Sequence, residues 1–163
     1  MLGKRIGKVT LANMTLALAL FTGLAMTQSV FAAGGWGESS GKPAEFQQAE
    51  KAIGDGKFEA AIPLLEGLVE KNPKDADSLN YLGYSHRKLG RFELSEEYYM
   101  KALTADPEHR GAHEYLGELY LQTGRPDKAK EMLVKLDDLC FWGCEEYDEL
   151  KKAIEQYAAK TGS

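Results

Sequence analysis

Residues 76–107 read ADSLNYLGYSHRKLGRFELSEEYYMKALTADP, and this stretch decides the fold. Its two halves, LNYLGYSHRKL and FELSEEYYMKAL, each carry apolar residues at helical spacing. Gly90 lies between them, where a helix C-terminus needs a residue that accepts a left-handed conformation. Asp106-Pro107 closes the second half, because proline disfavours helical geometry in the residue before it. The stretch therefore reads as two helices joined by a tight turn.

The same pattern recurs on both sides. Gly56, Gly90 and Gly124 stand 34 residues apart each time. Phe58 and Phe92 follow the first two by two residues, with Pro126 in the third copy. A small residue follows each glycine at a fixed offset, as Ala61, Ser95 and Ala129; Leu68, Ala102 and Leu136 share another. Asn72-Pro73 ends the first copy as Asp106-Pro107 ends the second, and Leu82-Gly83 returns as Leu116-Gly117. In the first copy Gln48-Ala49 holds that place. A period of this length marks stacked supersecondary units. Gly83, Gly117 and Ala129 are small enough to let two helix backbones approach, Asp75 suits an N-cap, and Pro126 fits a first helical turn.

Leu-Gly within the first helix, then Gly, Phe, Ala and Pro at these offsets, resembles the tetratricopeptide repeat. The resemblance covers residues 42–141, is strongest in the second copy, and puts Leu79 and His113 at the family's tryptophan-like position. It implies an all-α, α-solenoid fold: three helix-turn-helix repeats at about 42–75, 76–109 and 110–143, within a domain spanning 43–160. Helices are expected near 43–54, 58–71, 76–89, 92–104, 110–123 and 126–139. A seventh, 145–160, carries Tyr147, Leu150, Ile154 and Tyr157 on one stripe and charge elsewhere, as a capping helix should.

The N-terminus has a different character. Lys4, Arg5 and Lys8 precede an apolar run at 9–26, and Val30-Phe31-Ala32 supplies a small-residue site. This describes a signal peptide over 1–32, cleaved between Ala32 and Ala33. An uncleaved membrane anchor is the alternative; the run is short for a span and carries Asn13 and threonines. Residues 33–42 read as a Gly/Ser-rich flexible linker containing Trp36, compatible with either a free tail or docking on the domain. Loss of the signal removes three of 20 basic residues and none of 25 acidic ones, leaving a net charge of −8. Such a surface does not suit nucleic acid or anionic membrane, which need Lys and Arg to neutralise phosphate. Export places the chain in the periplasm or outside the cell.

That compartment bears on Cys140 and Cys144, the only two cysteines. Oxidising surroundings favour a disulfide, which would break the helix here, with Gly143 as the joint, and fix how the cap docks. Phe141 and Trp142 are expected to pack in the elbow. The rival readings are a metal site, short of ligands with two sulfurs, and a redox pair, which favours C-x-x-C spacing.

No catalytic constellation emerges. Ser85 and His86 are adjacent on a helix and diverge by about 100°, so His86 reads as a packing residue. His109 and His113 read as one surface and one packed histidine rather than a metal pair. Glu96-Glu97 and Glu145-Glu146 read as solvated faces. No cofactor or metal is expected. The family resemblance implies that the first helices line a concave groove: Phe46, Glu50 and Ile53; Asp77, Asn80, Tyr84, Arg87 and Lys88; Glu114, Glu118, Leu121 and Gln122. That groove would be mixed, with a basic spot at Arg87 and Lys88 and an acidic one at Glu114 and Glu118. Only Asn80, Arg87 and Lys88 could grip a peptide carboxylate, against the glutamates of the third copy. The expected function is a non-enzymatic, monomeric module that holds a protein segment and does not insert in the membrane after cleavage. A thiol-redox or metal-binding accessory protein acting through Cys140 and Cys144 is the alternative.

Overall fold

The computed structural model describes residues 41–162. The signal segment 1–32, the Ala32–Ala33 junction, Trp36 and all but the end of the linker lie outside the described residues.

Seven helices make up the described chain: α1 Ala44–Gly54, α2 Phe58–Lys71, α3 Ala76–Lys88, α4 Phe92–Ala105, α5 Arg110–Gln122, α6 Pro126–Leu139 and α7 Glu145–Thr161. They fall within a residue or two of the spans read from the repeat. Their ends follow from local chemistry. Gly56, Gly90 and Gly124 close the first helix of each pair at φ of 73°, 73° and 71°, a region that costs glycine little and other residues more. The Asp75 carboxylate accepts hydrogen bonds from the Ser78 amide at 3.2 Å and the Ser78 hydroxyl at 2.8 Å, capping α3.

His109 holds the equivalent cap of α5, one repeat later. Its Nδ1 accepts from the Ala112 amide at 3.1 Å, and its Nε2 lies 3.1 Å from the Asp77 carboxylate. The surface histidine expected from sequence is thus a structural cap that also ties α5 to α3. His113 is buried and donates to the Pro107 carbonyl at 2.9 Å. His86 is a packing residue, stacked on Tyr98 with ring centroids 5.3 Å apart, and burial holds its imidazole below the ordinary range.

The core runs along the stack in successive clusters. Phe46, Leu65 and Leu82 join α1, α2 and α3. Leu79, Ala102 and Ala112 bridge α3, α4 and α5. Tyr99, Leu116, Leu119 and Ala129 continue it, and Ile154 and Tyr157 of α7 pack against that cluster. Gly83 and Gly117 are small for a reason visible here. A β-carbon on Gly83 would sit 2.5 Å from the Tyr99 ring, and one on Gly117 would sit 2.6 Å from Leu150.

Between α6 and α7, Cys140 and Cys144 are bonded, with Cα atoms 5.6 Å apart. Gly143 turns the chain at φ 87° and its amide donates to the Cys140 carbonyl at 2.8 Å. The loop departs from expectation in one respect. Phe141 and Trp142 do not pack in the elbow; they are 83% and 93% exposed. The short loop closed by the bond throws both outward, where they meet each other edge-on at 5.1 Å. The buried residues nearest this loop on the two helices are Leu136 of α6 and Leu150 of α7, both fully buried.

Candidate functional site

Residues at helical spacing along α3, α5 and α7 share one face. On α5 they are Gly111, Glu114, Glu118 and Leu121; on α7, Glu149, Ala153 and Gln156. Stacked helix pairs curve so that their first helices form the inner wall, and two hollows lie on this face. One, of about 350 Å³, is lined by Lys42, by Asp77, Asn80 and Tyr81 of α3, by His109, by Gly111, Glu114 and Tyr115 of α5, and by Glu145, Glu146 and Glu149 of α7. The other, of about 460 Å³, lies between Glu118, Leu121 and Gln122 of α5 and Ala153, Gln156 and Tyr157 of α7. The first is acidic and polar; the second mixes apolar and polar groups.

Glu118, which lines the second hollow, is paired with Arg87. They form an ion pair from α3 to α5 in which the arginine side chain is 2% exposed and the glutamate 28%. The guanidinium also lies over the Tyr84 and Tyr115 rings, at 5.4 and 5.7 Å from their centroids. The basic spot expected from sequence is therefore divided. Arg87 is buried, neutralised by Glu118 and packed against the neighbouring Tyr84 and Tyr115 rings, so it serves the stack. Lys88 is exposed, with its ammonium 5.1 Å from the Tyr84 ring. Tyr84 is half-buried and 5.0 Å from Tyr115. Leu121 is 8% exposed and lines the second hollow. Of the first-copy positions, Phe46 is core at 2% exposed, while Glu50 holds Lys42 at 3.4 Å.

With Arg87 consumed, the accessible inner wall is acidic around the first hollow. Lys42 is held by Glu50 and Asp77, both at 3.4 Å, and Arg110 reaches Glu146 at 3.7 Å. Glu114, Glu145 and Glu149 have no ion-pair partner among the described residues. Burial first, and then the negative charges of Glu118 and Glu146, push the Glu114 carboxyl up to about 8. The Asp77 carboxyl is held low, chiefly by its hydrogen bond from His109. Sequence reasoning missed Glu145, Glu146 and Glu149 as part of this wall and read the first two as a solvated face. The Tyr147, Leu150, Ile154 and Tyr157 stripe fixes which side of α7 is buried, but not that its glutamate flank meets Asp77 and Glu114.

Comparisons with known proteins agree with this architecture. The tetratricopeptide repeat family model matches residues 46–109 and 83–131. No curated protein matches the chain significantly. Among solved structures, the first TPR of Spaghetti (RPAP3), bound to the HSP90 peptide SRMEEVD, superposes with a TM-score of 0.62 at 19% identity, over 71% of this chain and 93% of that one. The Yersinia enterocolitica type III secretion chaperone SycD, in complex with a peptide of the translocator YopD, gives 0.62 at 20% identity, over 72% and 92%. MamA from Desulfovibrio magneticus RS-1 gives 0.55 at 25% identity, over 58% and 54%. The fold is an all-α helical-repeat solenoid, of a kind that generally serves as a non-enzymatic scaffold for protein–protein interaction. On the repeat pattern, the glycine turns and the family match together, the chain belongs to the tetratricopeptide repeat family.

Proposed function

We propose that the chain is an exported, non-enzymatic module that holds a segment of another polypeptide along the inner face of α3, α5 and α7. The observation that carries this reading is the pair of hollows that follow one another along α5 and α7, the first lined by Glu114 and Glu149 and the second by Glu118 and Ala153. An extended segment can lie across both while the ion pair keeps the helices in register. Structural neighbours that hold peptides support the class of function. The chemistry of the segment differs from that of the Spaghetti ligand. SRMEEVD is acidic, whereas this inner wall presents Glu114, Glu145 and Glu149 and has Arg87 neutralised by Glu118. An acidic tail would meet like charge here, which opposes association.

The Lys4-Arg5 start, the apolar run and the Ala32–Ala33 junction support export to the periplasm or beyond. The Cys140–Cys144 bond is consistent with an oxidising compartment. Site-specific photocrosslinking in the native cell envelope tests the face. A crosslinker at Gln122, on the inner wall, should capture a discrete partner; one at Met100, exposed on α4, should not. Equal capture from both positions would sink the groove reading. N-terminal sequencing of the mature protein should begin at Ala33; a chain still starting at Met1 would favour the uncleaved anchor.

A further inference from the structure

We infer that the loop closed by Cys140 and Cys144 is a second interaction surface, on which Phe141 and Trp142 enter an apolar pocket of a partner protein whose rim carries lysine or arginine. This surface lies apart from the groove, since neither ring lines either hollow. Phe141 is 83% exposed and Trp142 93%, whereas every other Phe, Tyr or Trp ring among the described residues is buried or half-buried. A lone apolar side chain on a surface needs no explanation. Two adjacent rings at a loop tip, each offering about 150–250 Å², form a continuous patch of the size that marks an interaction site. Tryptophan is also among the residues that carry most of the energy at protein interfaces.

The loop holds the two rings in place before any partner arrives. Its ends are joined by the Cys140–Cys144 bond and continue directly into α6 and α7. Gly143 makes the turn at φ 87°, and its amide donates to the Cys140 carbonyl at 2.8 Å. The rings brace each other edge-on with centroids 5.1 Å apart. A tip ordered in advance loses less conformational entropy on binding than a free loop would.

The charge around the tip selects the occupant. No lysine or arginine occurs between Lys135 and Lys151, while Asp137, Asp138, Glu145 and Asp148 flank the rings and are exposed. None of these four has an ion-pair partner among the described residues; the cation Arg110 goes to Glu146. Asp137 and Asp138 also stand in the last turn of α6, which holds no basic residue, and the helix dipole disfavours negative charge there. The collar is thus left uncompensated within the chain. A second copy would bring the same collar, and an anionic bilayer the same sign of charge, so both meet repulsion. A protein pocket with an apolar floor and a basic rim complements the rings and the collar together, in the usual layout of apolar centre and polar edge. Cations on that rim also find the ring faces.

The test places p-benzoylphenylalanine, itself an aromatic side chain, at position 141 of the full chain in its native cell, with Trp142 kept. Irradiation should give one protein adduct, with the crosslinked peptide mapped by mass spectrometry to an apolar site that has Lys or Arg around it. The D137K/D138K variant, checked for folding by unchanged helical circular dichroism, should lower the adduct yield about tenfold, the low end of what charge complementarity contributes to association. W142A in the same background should abolish the adduct. A crosslinker at Val134, 60% exposed on α6, should not give it. A parallel measurement follows Trp142 fluorescence in the W36F chain, where it is the one tryptophan left. Its emission should not move with vesicles of phosphatidylcholine, alone or mixed with phosphatidylglycerol, and sedimentation velocity should stay unchanged as concentration rises. The inference is overturned by no adduct, by an adduct indifferent to charge reversal, by one lacking Lys or Arg at the mapped site, by a blue shift on vesicles, or by Trp142-dependent self-association. The groove is read separately by the Gln122 crosslinker, so either reading can fail with the other intact.

Discussion

Gly83 and Gly117 occupy the same position in successive repeats, yet they are packed by different elements. Gly83 of α3 receives the ring of Tyr99 from α4, its own repeat partner. Gly117 of α5 receives Leu150 from α7, outside the repeats proper. Ala49 of α1, the third equivalent, is fully buried with its one methyl group. One small residue thus opens a slot that is filled from within the repeat in the middle of the stack and by the cap at its end. The difference teaches that the end of the solenoid is sealed by reuse of a repeat position, with an aliphatic plug in place of an aromatic one.

That contrast can be broken by mutation. Removal of the plug should have the largest effect. Leu150→Ala leaves a cavity against Gly117 and should cost about 3 kcal/mol. Amide exchange should show it in α7 and the C-terminal half of α5, with α1 and α2 unaffected. Loss spread evenly over all seven helices would mean the cap is no separate unit. Next comes Gly83→Ala. Its new methyl meets a rigid, fully buried ring, so a net destabilisation of about 2 kcal/mol is expected in urea unfolding, after the gain of about 1 kcal/mol in helix propensity. Gly117→Ala should cost less, about 1 kcal/mol, because a leucine side chain can rotate where a tyrosine ring cannot. Equal costs at the two glycines would erase the distinction.

The disulfide and the acidic hollow sharpen the comparison further. The Cys140→Ser/Cys144→Ser variant should lose at most about 2 kcal/mol, the small entropy of so short a closed loop. The loss should show mainly as faster exchange in the first turn of α7. Unchanged exchange there would deny the bond any part in seating the cap. The smallest effect is pH-dependent. Glu114 is raised from 4.5 to about 8 in the folded chain. Its neutral form therefore favours folding below its unfolded value, and that contribution is lost as pH rises through about 8. Glu114→Gln should then equal the parent near pH 5 and exceed it near pH 9 by about 1 kcal/mol, discounted for partial exposure. Thermal melts at the two values check this; a variant less stable at both would contradict the assignment.

Local rules made most of the fold legible. A glycine at each turn, prolines after α2 and α4, and a carboxylate cap at Asp75 act within one or two helical turns, so each leaves a mark in the chain at a fixed offset. The buried stripe of α7 was legible for the same reason. Phe141 and Trp142 were not: apolar side chains predict burial on average, but a loop closed by Cys140 and Cys144 decides which way its tip points. His109 as a cap was not legible either, since imidazole is an uncommon substitute for the aspartate found one repeat earlier.

The candidate site was the least legible part. Repeat register places Asn80, Tyr84, Arg87, Lys88, Glu114, Glu118 and Leu121 on the first helices, but register does not say which of them remain accessible. Arg87 looks like a ligand-binding cation in the sequence. In the structure it packs against Tyr84 and Tyr115 and is spent on Glu118. Glu145, Glu146 and Glu149 look like solvent-facing charge until α7 lays them beside Asp77 and Glu114.

The sequence by itself determined seven helices, their ends and their stacking order, because caps, turns and the 34-residue period are properties of neighbouring residues. Only the tertiary structure decided that the inner wall is acidic. Charge is felt across space: whether a carboxylate is neutralised or left over depends on which side chains from distant helices come within a few ångströms of it.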